Sequence, residues 1–75
     1  NLVNVQIQKR LPFEERPAIG ETIASIEEAL GKRGRVLLRY SGTEPLCRIM
    51  VEGENENLVS QYADDLSEVV ARELR

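Results

Sequence analysis

A chain of 75 residues has room for one modest hydrophobic core and no second domain with a core of its own. Its 41% hydrophobic and 31% charged residues are a globular balance, and no apolar run exceeds three residues, as at Val36–Leu38, which is too short for a membrane-crossing helix. With a net charge of −3, no histidine and a single cysteine, Cys47, the chain offers no disulfide framework, no zinc finger and no Ser-His or Cys-His pair; catalysis by this chain alone is not expected, and the cytoplasm is the default compartment.

The chain begins at Asn1, without methionine, in what already reads as a strand, so a piece of a longer polypeptide is expected. Residues 2 to 8 alternate Val3, Val5 and Ile7 with Asn4, Gln6 and Gln8, the period-2 pattern of a strand with one face on a core. Residues 9 to 18, with Pro12 and Pro17 among charges, break that pattern and read as a connection. The spacing then changes to Ile19, Ile23, Ile26 and Leu30, which predicts a helix over about residues 20 to 31, with Gly31 as its left-handed C-terminal cap. Arg35 to Tyr40 and Cys47 to Glu52 are β-rich and flank the turn formers Ser41-Gly42-Thr43-Glu44-Pro45, which predicts an antiparallel hairpin. After Gly53, Asn55 is placed to cap a last helix running to near Arg72, with Leu58, Tyr62, Leu66, Val69 and Val70 at helical spacing. The order β-α-β-β-α predicts an α+β fold: a small antiparallel sheet of three or four strands with both helices on one face.

Charge is segregated along this order. Residues 31 to 50 hold Lys32, Arg33, Arg35, Arg39 and Arg48 against Glu44 alone, a local +4 that leaves −7 for the rest of the chain. A cationic region inside an acidic domain suggests a local anion site, although a solvated basic turn would have the same composition. The predicted hairpin would bring Arg39 and Arg48 back towards each other, where two guanidinium forks could face one anion or merely solubilise an exposed face; arginine matches phosphate geometry and keeps its charge at any physiological pH. Ser41 and Thr43 add hydroxyl donors, and Gly42 is expected to let successive backbone N–H groups converge in a nest. Glu44 would repel a phosphate unless it points away, and is expected to brace the loop or meet a sugar hydroxyl. Cys47 lies on the apolar face of its strand and reads as core, while Asp64 and Asp65 read as a solvated helix face with no role.

The run Arg39-Tyr40-Ser41-Gly42-Thr43-Glu44-Pro45-Leu46-Cys47-Arg48 is similar to the phosphate-binding loop of the α-D-phosphohexomutase family, R-x-S-G-T-E-P followed shortly by a second R. The flanks Gly34 to Leu38 and Ile49 to Gly53 resemble the glucosamine branch of that family, with its mannose/glucose branch as the alternative, and the element order resembles the family's C-terminal domain over nearly the whole chain. The resemblance implies that residues 1–75 are the fourth, phosphate-binding domain of such an enzyme, with a TATA-box-binding-protein-like fold. It implies that Arg39, Ser41, Gly42, Thr43 and Arg48 hold the substrate phosphate that is not being transferred. Tyr40 occupies a variable position and gains no role. For the parent enzyme it implies an isomerase that is an intramolecular phosphotransferase, interconverting glucosamine 6-phosphate and glucosamine 1-phosphate through a bisphosphorylated sugar, for peptidoglycan precursors. The donor would be a phosphoserine on the first domain and the Mg²⁺ would sit on a second domain, with no metal held by this one.

The partners so implied are a phosphosugar and the parent's other domains. A nucleic-acid-binding hairpin is the reading from another class, but three aromatics, of which only Tyr40 is near the hairpin, and an acidic bulk disfavour it. The family's fold is described with four strands, and Lys9 to Pro17 is the only stretch left to hold another.

Overall fold

A computed structural model describes residues 1–75. The elements run β1 (Leu2–Gln6), a 3-10 turn (Phe13–Glu15), α1 (Pro17–Leu30), a second 3-10 turn (Gly31–Arg33), β2 (Arg35–Tyr40), β3 (Leu46–Glu52) and α2 (Glu56–Glu73). The α+β class and the hairpin are as expected. The sheet has three strands in the order β1-β3-β2, both pairs antiparallel.

β3 is central because it is the most apolar strand on one face: Cys47, Ile49 and Val51 are fully buried. They meet Val5 and Val3 of β1 on one side and Tyr40, Leu38 and Val36 of β2 on the other. α2 packs over β1 and β3, α1 over β2 and against α2, so both helices cover this one face. Alternation then puts Asn4, Arg48 and Arg39 side by side in a row across the opposite, open face, next to a row of Leu2, Met50 and Leu37.

Three details differ from the expectation, while residues 9 to 16 form the expected connection. α1 begins three residues early, at Pro17, since proline at the first helical position has no N–H to satisfy and a φ already suited to the helix. No fourth strand forms over Lys9 to Pro17: the Gln8 and Lys9 amides bond to the Leu74 carbonyl at 2.9 and 3.2 Å, ending β1 at Gln6, and a turn with Glu15 N to Pro12 O at 3.0 Å follows. The buried face of α2 is Val59, Ala63, Leu66 and Val70, leaving Leu58 exposed and Tyr62 half-buried, because Ala63 is the small residue that lets the helix lie close on the sheet. The chain end also matters: Leu74, beyond the expected helix, is fully buried.

The predicted caps hold. Asn55 Oδ1 accepts from Leu58 N at 3.1 Å, and Gly31 sits at φ +69° with its N–H on the Glu27 carbonyl. Gly34 is fixed by crowding instead: a Cβ there would lie 2.5 Å from the Leu30 Cβ and 2.7 Å from the Glu52 carbonyl oxygen. Each fully buried aliphatic side chain of the core contributes about 1.5–3 kcal/mol of transfer free energy.

Candidate phosphate-binding site

Arg39 and Arg48 are direct partners in the β2–β3 register, so both side chains leave the open face at the mouth of the 41–45 loop. Like charges opposite one another weaken a sheet, and no carboxylate lies within ion-pair distance of either. The other arginines of the basic region are matched: Arg35 Nε lies 2.8 Å from Glu52 Oε2 and Arg33 Nη1 2.7 Å from Glu54 Oε1. The Arg35 guanidinium holds the Glu52 carboxyl below its ordinary pKa, and Glu52 raises that of Arg35 in turn. The local +4 is thereby reduced, at the loop mouth, to the Arg39–Arg48 pair.

The loop is organised around Ser41, the one buried polar residue. Its N–H donates to the Leu46 carbonyl at 2.9 Å, closing the hairpin, and its Oγ accepts from Thr43 N at 3.4 Å and Glu44 N at 3.3 Å. Those contacts are long for N–H to oxygen bonds, and they hold two neighbouring amides pointing at one oxygen. The convergence is therefore made by a serine side chain and not by a left-handed glycine: Gly31 has the only positive φ in the chain, so Gly42 does not supply the nest that the sequence suggested. A Cβ on Gly42 would meet nothing within 4 Å, so neither backbone strain nor crowding inside the domain explains a glycine there.

Thr43 and Glu44 are exposed at the tip. Glu44 engages the rest of the domain through its carbonyl, which accepts from Leu46 N at 2.8 Å and from Arg10 Nη2 at 2.6 Å; its carboxylate makes no ion pair. A concavity of about 210 Å³ on the open face is lined by Arg39 and Arg48 together with Leu2, Leu37, Ile49 and Met50. The largest hollow, about 580 Å³, lies at the far end of β3 and is lined by Glu52 and Glu56, which do not suit an anion.

Tyr40 does have a role, one its variable motif position concealed: its hydroxyl donates to the Leu11 carbonyl and its ring stacks on Phe13 at 4.8 Å between centroids. Burial raises the Tyr40 pKa. Cys47 is core, as expected, and burial pushes its thiol up to about 11, so it carries no thiolate at neutral pH. No three His, Cys, Asp or Glu side chains come together, so these residues do not make up a metal site. No helix is long and apolar enough to cross a membrane.

On this small α+β sheet, paired arginines beside a serine-centred turn form a candidate anion site. The family described as phosphoglucomutase/phosphomannomutase, C-terminal domain, matches residues 2–69, and the chain belongs to it. Within that family the chain is similar to phosphoglucosamine mutases: it is 70% identical over 74 residues to that of Desulfovibrio desulfuricans, covering 99% of this chain and 16% of the relative. Identity is 53% to that of Lawsonia intracellularis and 45% to that of Chlamydia pneumoniae, each over 97% of this chain and 16% of the relative. The chain thus spans about one sixth of the length of the curated relatives it matches.

Proposed function

We propose that this chain is the phosphate-holding domain of a phosphoglucosamine mutase, an isomerase that interconverts glucosamine 6-phosphate and glucosamine 1-phosphate through a bisphosphorylated sugar. The observation that carries the reading is the Arg39–Arg48 pair, two guanidinium groups made neighbours by strand register and left without a carboxylate. An anion between them removes their mutual repulsion. Arg39, Ser41, Gly42, Thr43 and Arg48 then hold the phosphate that is not being transferred: two forks from the sheet, the Thr43 hydroxyl, and the Thr43 and Glu44 amides now resting on Ser41 Oγ. The open space above Gly42 gives the ligand its approach.

A cradle of fixed charges does not discriminate which carbon bears the ester, which suits an intermediate that must turn over between two half-reactions. Phosphoryl transfer itself, from a phosphoserine, and the Mg²⁺ that supports it are assigned to the parts of the parent outside this chain, which has no residue grouped for either. The domain closes over the sugar and excludes water; scattering profiles of the parent that do not change on adding bisphosphorylated sugar would count against closure. The parent's compartment is the cytoplasm and its product feeds peptidoglycan precursors.

The test is an amide-resolved NMR titration of this chain with glucosamine 6-phosphate, inorganic phosphate and glucosamine. Shifts confined to residues 39 to 48, given by both phosphate compounds but not by glucosamine, and lost in Arg39→Ala, are expected. Equal shifts in Arg39→Ala would sink the reading.

A further inference from the structure

The loop, organised from within by Ser41, is also tied from outside by a segment that lies beyond its sequence motif. Residues 8 to 16 run from the end of β1 across the same end of the sheet to α1, and they are tied at both ends. The Gln8 and Lys9 amides bond to the Leu74 carbonyl, and Arg16 Nε donates to the Glu73 carbonyl at 3.0 Å. From that anchored strap, contacts reach both ends of the loop. On the β2 side, Tyr40 donates its hydroxyl to Leu11 O and stacks on Phe13. On the β3 side, Arg10 Nη2 donates to Glu44 O at 2.6 Å across 34 residues of sequence, next to the bond that Ile7 N, just before the strap, makes to Pro45 O at 2.9 Å.

We infer that Arg10 is a positioning residue for phosphate binding, an inference that rests on the reading of the loop given above. The peptide unit that Arg10 fixes is the next one after the Glu44 amide, which together with the Thr43 amide points at Ser41 Oγ. Holding the Glu44 carbonyl from outside fixes the 44–45 peptide, which shares the Glu44 Cα with the 43–44 peptide, and so limits how far the Glu44 amide can swing away from Ser41 Oγ. The charged donor strengthens the bond relative to a neutral one, and it adds to the bond that the same carbonyl accepts from Leu46 N within the loop. Arg10 acts through the backbone and need not touch the ligand.

The experiment is steady-state kinetics on the longer enzyme carrying this domain, comparing Arg10→Gln, Arg10→Lys and Arg39→Gln, each with a thermal melt. Arg10→Gln is expected to raise KM for the phosphosugar about fivefold with kcat within about twofold, since ground state and transition state grip the held phosphate alike. Its melting temperature is expected to stay within about 2 °C of the parent, and Arg10→Lys to recover most of the KM because a cationic donor remains. An unchanged KM in Arg10→Gln, beside a raised one in Arg39→Gln, overturns the inference and leaves the site reading standing. No effect in either variant overturns both. A KM rise that tracks a lost melting temperature and is not rescued by lysine makes Arg10 merely structural, and also overturns it.

Discussion

Neutralising one member of the arginine pair is expected to stabilise the empty domain while abolishing its response to phosphate. Arg39 and Arg48 are cross-strand partners with no counter-charge. With the two exposed guanidinium heads splayed to about 7 Å in water, Coulomb repulsion is about 0.6 kcal/mol. That lies inside the range of ~0.2–1 kcal/mol measured for cross-strand pairs. For a domain of this size 1 kcal/mol moves the midpoint by about 4–8 °C, so Arg48→Gln should melt about 2–5 °C higher in low salt. In 1 M salt, where the Debye length is about 3 Å, the gain should nearly vanish. Phosphate at about ten times its Kd adds ~1.4 kcal/mol to the parent by mass action and nothing to the variant, so the order of stabilities should reverse. Scanning calorimetry at two salt concentrations, with and without phosphate, reads all four states. A variant that melts below the parent in low salt, or whose gain survives 1 M salt, refutes the repulsion argument.

Gly34→Ala should cost about 1–3 kcal/mol or more by denaturant titration, because the new methyl meets the Leu30 Cβ and the Glu52 carbonyl, and the latter belongs to the central strand. Leu66→Ala should cost about 2–5 kcal/mol while Leu58→Ala costs under about 1 kcal/mol, a contrast that reverses if Leu58 rather than Val59 lies on the buried face of α2. Cys47 gives an alkaline signature: its folded thiol titrates near 11 while an unfolded one ionises near 8.5, so stability should hold below about pH 8.5 and fall by ~2–3 kcal/mol as pH rises to 11. Cys47→Ala should remove that part of the slope; parallel pH profiles for parent and variant would show that the buried thiol is not its source.

The hairpin, its pairing of Arg39 with Arg48 and the Asn55 cap were legible because each depends on residues close in sequence, where alternation and turn chemistry act directly. Strand order was not. Period-2 alternation says which face of β1 is buried but is silent on whether β2 or β3 lies beside it. On α2, helical spacing put Leu58 on the core face where Val59 lies, since the larger side chain reads as core, while Tyr62, Leu66, Val69 and Val70 are buried or pack against the core. The brace from Arg10 and the Tyr40–Leu11 contact span 34 and 29 residues, and no local pattern announces such a bond. The counter-ions of Arg33 and Arg35 lie on or just after the central strand, so the local charge count overstated what remains free for a ligand.

The alternation of β3 places Cys47, Ile49 and Val51 on one side and Arg48 on the other, with Pro45 and Ser41 bonded at the two ends of the turn. A slip of β3 by one position against its neighbours would turn Arg48 towards the helices and Ile49 towards water. The facing of Arg39 and Arg48 on the open side of the sheet therefore rests on the register that the bonds at Ser41 and Pro45 hold.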